Sequence, residues 1–242
     1  MSTITHPRSS IITRHRVERE VVWMPVTIGV FALVVAAITA AVSVFGTVTT
    51  SAWEVASQLP RFYAAGIGGY LMGVHLPLYI AHGFSRREFM GQSPGYMLIV
   101  VTSLSLLMTL GYALESVLYG WLGWEQALSN THLFTEPTQY PLVLIEFLLL
   151  HAAWFTGGMV VIGAFYRDGR LGVASILVGL AAVLAVESTL GSSASAPFTV
   201  TVPGMSELPV AQAVTVGVAV SAVLLAMSWL LARDMPLRSK KS

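Results

Sequence analysis

The sequence predicts an all-α integral membrane protein, a six-transmembrane-helix bundle with cytoplasmic N- and C-termini. Three observations carry that prediction. The first is composition: of 242 residues, 55% are hydrophobic and only 10% are charged, and the mean hydropathy is +0.73. A soluble domain carries roughly a quarter charged residues. The second is that six apolar stretches each reach the roughly 20 residues a helix needs to cross the hydrocarbon core. The third is the placement of the thirteen lysines and arginines, which alternates with the spans.

Taken in order, the spans are 24–46, 62–81, 96–119, 140–165, 171–190 and 210–231. They read as helices because barrel strands would show alternating ten-residue segments. Arg8, Arg14, Arg16 and Arg19 precede the first span, and Arg86 and Arg87 lie between the second and third. Arg167 and Arg170 lie between the fourth and fifth, and Arg233, Arg238, Lys240 and Lys241 follow the sixth. Only Arg61 falls on the other side, so the positive-inside rule places both termini in the cytoplasm of a multi-pass protein of the cell membrane. The chain divides into a cytoplasmic N-terminal segment (1–23), the transmembrane domain (24–231) and a cytoplasmic basic tail (232–242). About twenty polar residues precede the first apolar run and no small-residue cleavage site follows it, so no cleavable signal peptide is expected. The segment "ITRHRVEREVVWMP" (12–25) reads as an amphipathic interfacial helix with Trp23 at headgroup level.

The charge-poor chain is interrupted at "HGFSRREFMGQSPG" (82–95). Gly83 suits a left-handed cap ending the second span. Ser85 and Glu88 have the spacing of a capping box, and Phe84 and Phe89 that of a hydrophobic staple. Gly91 and Pro94 are expected to stop this short helix before the third span. The segment therefore reads either as a cationic anchor on lipid headgroups or as a stiff knob for a cytoplasmic partner. The second inner loop, "YRDGRLG" (166–172), allows only a tight turn that exposes Arg167, Asp168 and Arg170 as a minor contact.

The pattern "GFSRREF" in the first cytoplasmic loop of a six-span chain resembles the membrane (permease) subunit of the type-two ATP-binding-cassette transporters. The resemblance covers the chain in span count and topology, and its specific motif is about seven residues long. It implies that Gly83, Phe84, Ser85, Arg86, Arg87, Glu88 and Phe89 form a coupling helix that docks into a groove on a separate ATPase. It also implies a second permease subunit, identical or paralogous, and mostly export. The chain lacks G-x-x-x-x-G-K-[ST], so it is expected to bind no cofactor itself, with ATP and Mg held by the partner.

Ionisable residues at bilayer depth are functional candidates. Glu115, Glu146 and Glu187 group by depth toward the extracellular side, while His75 and His151 approach the middle. They read either as a polar vestibule on a substrate pathway or as groups hydrogen-bonded within the bundle. Glu146 and His151 are five apart, about 140° around a helix, and form no chelating pair; no metal site is expected. Gly69 and Gly73 form a G-x-x-x-G face, serving either a subunit interface or internal packing. Trp121, Trp124, Phe134 and Tyr140 read as interfacial anchors. The stretch 191–209, broken by Pro197, Pro203 and Pro209, is either a hairpin dipping back into the membrane or a plain loop.

Enzymatic function is disfavoured. There is no H-E-x-x-H, no G-x-S-x-G and no cysteine. No basic nucleic-acid-binding face is present. The expected function is transport, with an ion-coupled carrier or a non-catalytic scaffold as the alternative. A carrier of the inverted-repeat kind should show matching broken helices in its two halves, and none is evident.

Overall fold

The computed structural model describes residues 9–191 and 208–235, with side chains described from residue 23 onward. The expected loop at 191–209 and most of the basic tail lie outside the described residues. Among these residues the chain is helical, with no strand; one isolated bridge joins Thr50 to Ala127. The helices are α1 (Ser9–Phe45), α2 (Ala52–Ala56), α3 (Gln58–Tyr70), α4 (Leu76–Ala81), α5 (Arg86–Leu122), α6 (Tyr140–Arg167), α7 (Gly169–Thr189) and α8 (Val210–Arg233). A π-helical turn, Leu71–His75, joins α3 to α4. Six helical segments are long and apolar enough to cross a membrane: Trp23–Phe45, Ala52–Ala81, Arg86–Leu122, Tyr140–Arg167, Gly169–Thr189 and Val210–Arg233.

Helix boundaries follow from local chemistry, with three departures from expectation. The first concerns α5, which does not stop at Gly91 or Pro94. It runs unbroken from Arg86 to Leu122 with Pro94 inside. The expected stub is thus the first turns of the third span. Proline is tolerated within membrane helices because neighbouring groups satisfy the freed backbone, and α5 continues through Pro94. The second is α1, which continues through Pro25 as one helix, so the interfacial segment and the first span are not separate elements. The third is Arg61, placed outside the second span by its charge but buried within α3. The π turn has a cause of its own. Pro77 cannot donate to the carbonyl four residues back and its ring crowds Gly73; widening the preceding turn relieves both.

Helix α6 is the axis of the bundle and packs against α3, α5, α7 and α8, whereas α1 lies on α5 at the periphery. The α3–α6 crossing is a backbone-to-backbone contact. A Cβ on Gly68 would overlap the Phe155 carbonyl, and one on Gly158 would overlap the Ala65 carbonyl. Gly69 and Gly73 face the Ile162 side chain, so their G-x-x-x-G face packs inside the chain. Around the crossing, Leu71, Met72, Leu76, Leu104, Phe155 and Met159 are fully buried.

This packing sets a stability prediction. Gly68→Ala and Gly158→Ala each force α3 and α6 apart and should lower unfolding free energy by about 1–3 kcal/mol. Gly66→Ala on the same helix meets no atom within 4 Å and should be neutral or stabilising by about 0.5–1 kcal/mol. Thermal unfolding in detergent distinguishes the two outcomes.

Candidate functional site

Two polar regions occupy opposite ends of the bundle. The first holds the arginines. Gly83 ends α4 with φ +85°, a conformation open to glycine at no steric penalty. Ser85 then caps α5. Its Oγ accepts from the Glu88 amide (3.2 Å), and Glu88 Oε2 accepts from the Ser85 amide (2.8 Å) and hydroxyl (2.7 Å). The staple is indirect: Phe84 and Phe89 each pack on the Tyr79 ring, at 5.5 and 5.7 Å between centroids. Phe89 is buried in the core, 1% exposed, so only Phe84 of the aromatic pair reaches the surface. That is a consequence of α5 running on: a helix that joins the bundle turns one face inward.

Arg86 and Arg87 diverge. Arg86 is half-buried and donates from Nη2 to the Met235 carbonyl (2.7 Å), tying the start of α5 to the end of α8. Arg87 is exposed. Between these helix ends lies a hollow of about 410 Å³ lined by Phe84, Arg86, Arg87, Met90, Trp229 and Arg233. In the other turn at this end, Asp168 Oδ1 accepts from the Arg170 and Leu171 amides (2.8 and 3.2 Å) and caps α7, leaving Arg167 and Arg170 exposed.

The second region clamps the loop 123–139 onto the bundle. Glu54 accepts from the Ser129 amide (2.7 Å) and from the Asn130 amide (2.8 Å) and side chain (2.5 Å). Glu146 accepts from the Leu133 amide (2.7 Å). His132 bridges the two carboxylates, with Nδ1 2.7 Å from Glu146 and Nε2 3.3 Å from Glu54. Its ring stacks on Phe134 at 4.6 Å. Burial lowers the His132 pKa, but hydrogen bonding and charge from Glu146, and then from Glu54, outweigh it and raise it to about 9. His132 is therefore an imidazolium at neutral pH. Glu115 supplies a parallel anchor, accepting from the Ser51 hydroxyl (2.5 Å), the Trp53 amide (2.9 Å) and Gln126 (2.7 Å). Trp53 lies flat over Gly111 and donates to the Met108 carbonyl (3.0 Å).

Between the ends, Arg61 pairs with Glu187 at 3.0 Å, with both side chains almost fully buried. Trp154 donates to the same carboxylate (3.0 Å). His151 is bound to Ser105 Oγ (2.9 Å). His75 lies apart, between the Tyr70 and Tyr79 rings.

The five intramembrane candidates thus do not converge. Glu115 and Glu146 hold loop segments at the end opposite the arginines, Glu187 holds Arg61, and each histidine has a separate environment. Among the described residues, no three His, Asp or Glu side chains form a group able to hold a metal ion. An open groove of about 790 Å³ between α3, α6 and α7 is lined by carbon, glycines and the rings of Tyr70, Trp154, Phe165 and Tyr166, and by none of these five residues. Sequence reasoning missed Glu54 and His132. A signal existed for Glu54: Ser51-x-x-Glu54 has the same helix-start spacing as Ser85-x-x-Glu88, and Ser51 Oγ does accept from the Glu54 amide (3.1 Å). Nothing local marks His132, whose partners are 78 and 14 residues away. Phe134, expected as an interfacial anchor, is buried beneath that histidine. No known protein family, characterised protein or solved structure matches the chain.

The clamp predicts a pH dependence. The folded-state pKa of His132 lies above its ordinary 6.5, so its contribution is complete below pH 6.5 and is lost as pH rises through about 9. The stabilisation at stake is on the order of 3 kcal/mol. The thermal midpoint in detergent should fall across that window. His132→Ala should start lower and stay flat.

Proposed function

We propose that the chain is the permease subunit of an ATP-binding-cassette transporter, energised by a separate ATPase that docks on residues 83–91. The observation that supports this most is the construction of that segment. A left-handed glycine, a reciprocal capping box and a ring pair on Tyr79 make it stiff, while Arg87 stands free at its tip. A plain polar turn would need none of these. By the positive-inside rule this end faces the cytoplasm, where nucleotide is found.

The continuity of α5 supports the mechanical half of the reading. Arg86 and Glu115 lie on one unbroken helix, about 44 Å apart at 1.5 Å per residue. Displacement of the docked end reaches the Glu115 anchor without crossing a hinge. Such rigid-body transmission is a known switching mode. The groove between α3, α6 and α7 suits an amphipathic or apolar cargo, whether peptide, drug-like or lipid-like, and its size falls in the range of small-molecule pockets. Export is the direction the resemblance implies, and a second permease copy would complete the pathway.

The test is purification of the intact chain from its own membrane. A polypeptide bearing G-x-x-x-x-G-K-[ST] should co-purify in stoichiometric amount with ATPase activity. Arg87→Glu, an exposed charge reversal, should reduce its retention at least about tenfold without changing the thermal midpoint of the permease. Retention unaffected by the reversal, or a preparation with no nucleotide-hydrolysing companion, overturns the proposal.

A further inference from the structure

The hollow at the arginine end shares Arg86 and Arg87 with the docking segment and adds Trp229 and Arg233 of α8, which docking does not use. Arg86, Arg87 and Arg233 line it, and none of the three makes an ion pair among the described residues. The Glu88 carboxylate beside them is bound to Ser85 in the cap, and the exposed Asp234 does not line the hollow. Arg86 is held in place by the Met235 carbonyl, yet its Nε is buried with no partner. The N-terminus of the 37-residue helix α5 opens at the same place through Ser85, adding positive potential of the same sign. Three cations around one cavity, with the Glu88 carboxylate engaged in the cap, favour an anion there.

The remaining wall says which anion. Phe84, Met90 and Trp229 present carbon and an indole, and Trp229 is 42% exposed. A half-exposed tryptophan among arginines at helix ends is the arrangement found at headgroup level. A soluble phosphate has no use for an apolar wall, whereas a phospholipid places its phosphate diester among the arginines and its glycerol and acyl carbons along it. Basic pockets between helices at the cytoplasmic surface bind anionic headgroups. We propose that this hollow is a specific site for one anionic phospholipid, wedged between the start of α5 and the end of α8. The site needs only the chain and its bilayer, and so stands or falls separately from the ATPase reading.

Native mass spectrometry of the delipidated full chain tests it, with phosphatidylglycerol and phosphatidylcholine of matched acyl chains as probes. Phosphatidylglycerol should be retained as one copy per chain, at a concentration about tenfold below that needed for phosphatidylcholine. Arg87→Gln with Arg233→Gln should abolish the preference. Arg167→Gln with Arg170→Gln removes the same charge from the same end, outside the hollow, and should preserve it. All four side chains are exposed, and unchanged thermal midpoints confirm that the variants fold. Equal retention of the two lipids overturns the proposal, as does an equal loss in both double variants, which signifies diffuse surface attraction. Displacement of the lipid by inorganic phosphate at equal potency overturns it in favour of a free-anion site.

Discussion

The backbone contact between α3 and α6 is the constraint on which the rest depends. Lipid tails are as apolar as leucine, so burial of hydrocarbon does not drive membrane helices together; close packing and polar pairing do. Gly68 against the Phe155 carbonyl and Gly158 against the Ala65 carbonyl bring the two axes as near as backbones allow. That approach puts Arg61, one turn earlier on α3, and Trp154, one turn earlier on α6, over the same carboxylate of α7. A bulkier crossing would separate them and leave Arg61 charged in a low-dielectric interior. Breaking a buried pair costs about 3–5 kcal/mol, so packing and pairing enforce one another here.

The same logic runs along the far end of the bundle. Glu54, Glu115 and Glu146 are each at most 8% exposed, a position in which an unsatisfied carboxylate is not tolerated. Each accepts backbone amides from segments outside its own helix. The carboxylates therefore exchange their own desolvation for ordering of the loops 46–51 and 123–139, and His132 supplies the positive charge that lets two of them sit close together. These loops gain fixed positions that regular ladder bonding does not give them, and in 123–139 the carboxylates act together with the burial of Phe134.

Legibility in the sequence follows the range of the interaction. The six spans were readable because hydropathy is a property of each segment alone. The Ser85–Glu88 box was readable because its partners are three residues apart. Arg61 was misplaced because a charge was read as an exit from the membrane, and the residue that keeps it inside lies 126 positions away. Gly91 and Pro94 were read as stops by their local propensities, but the bundle holds α5 helical through both. The division of Glu115, Glu146 and Glu187 among three separate contacts was not legible, since it depends on partners distant in sequence and on loop residues without periodicity.

Helix α5 connects these observations mechanically. It begins in a cap that fixes its N-terminus, is tethered through Arg86 to the end of α8, and carries Ser105, Gly111 and Glu115 toward the far end, where each meets a different neighbour. A bonded network at both ends of an unbroken helix leaves little room for local bending. Any displacement of the Gly83–Phe89 element must therefore move α5 as a body and either carry the far-end loops with it or break the Glu115 contacts. Helix α1, the least buried of the six spans, lies against this strut with only Met24, Ile28 and Thr39 buried among its described side chains. Its apolar span is 6% buried, whereas that of α6 is two-thirds buried. The most extensive packing thus runs through α6 and its neighbours α3, α7 and α8, and the apolar groove belongs to α3, α6 and α7.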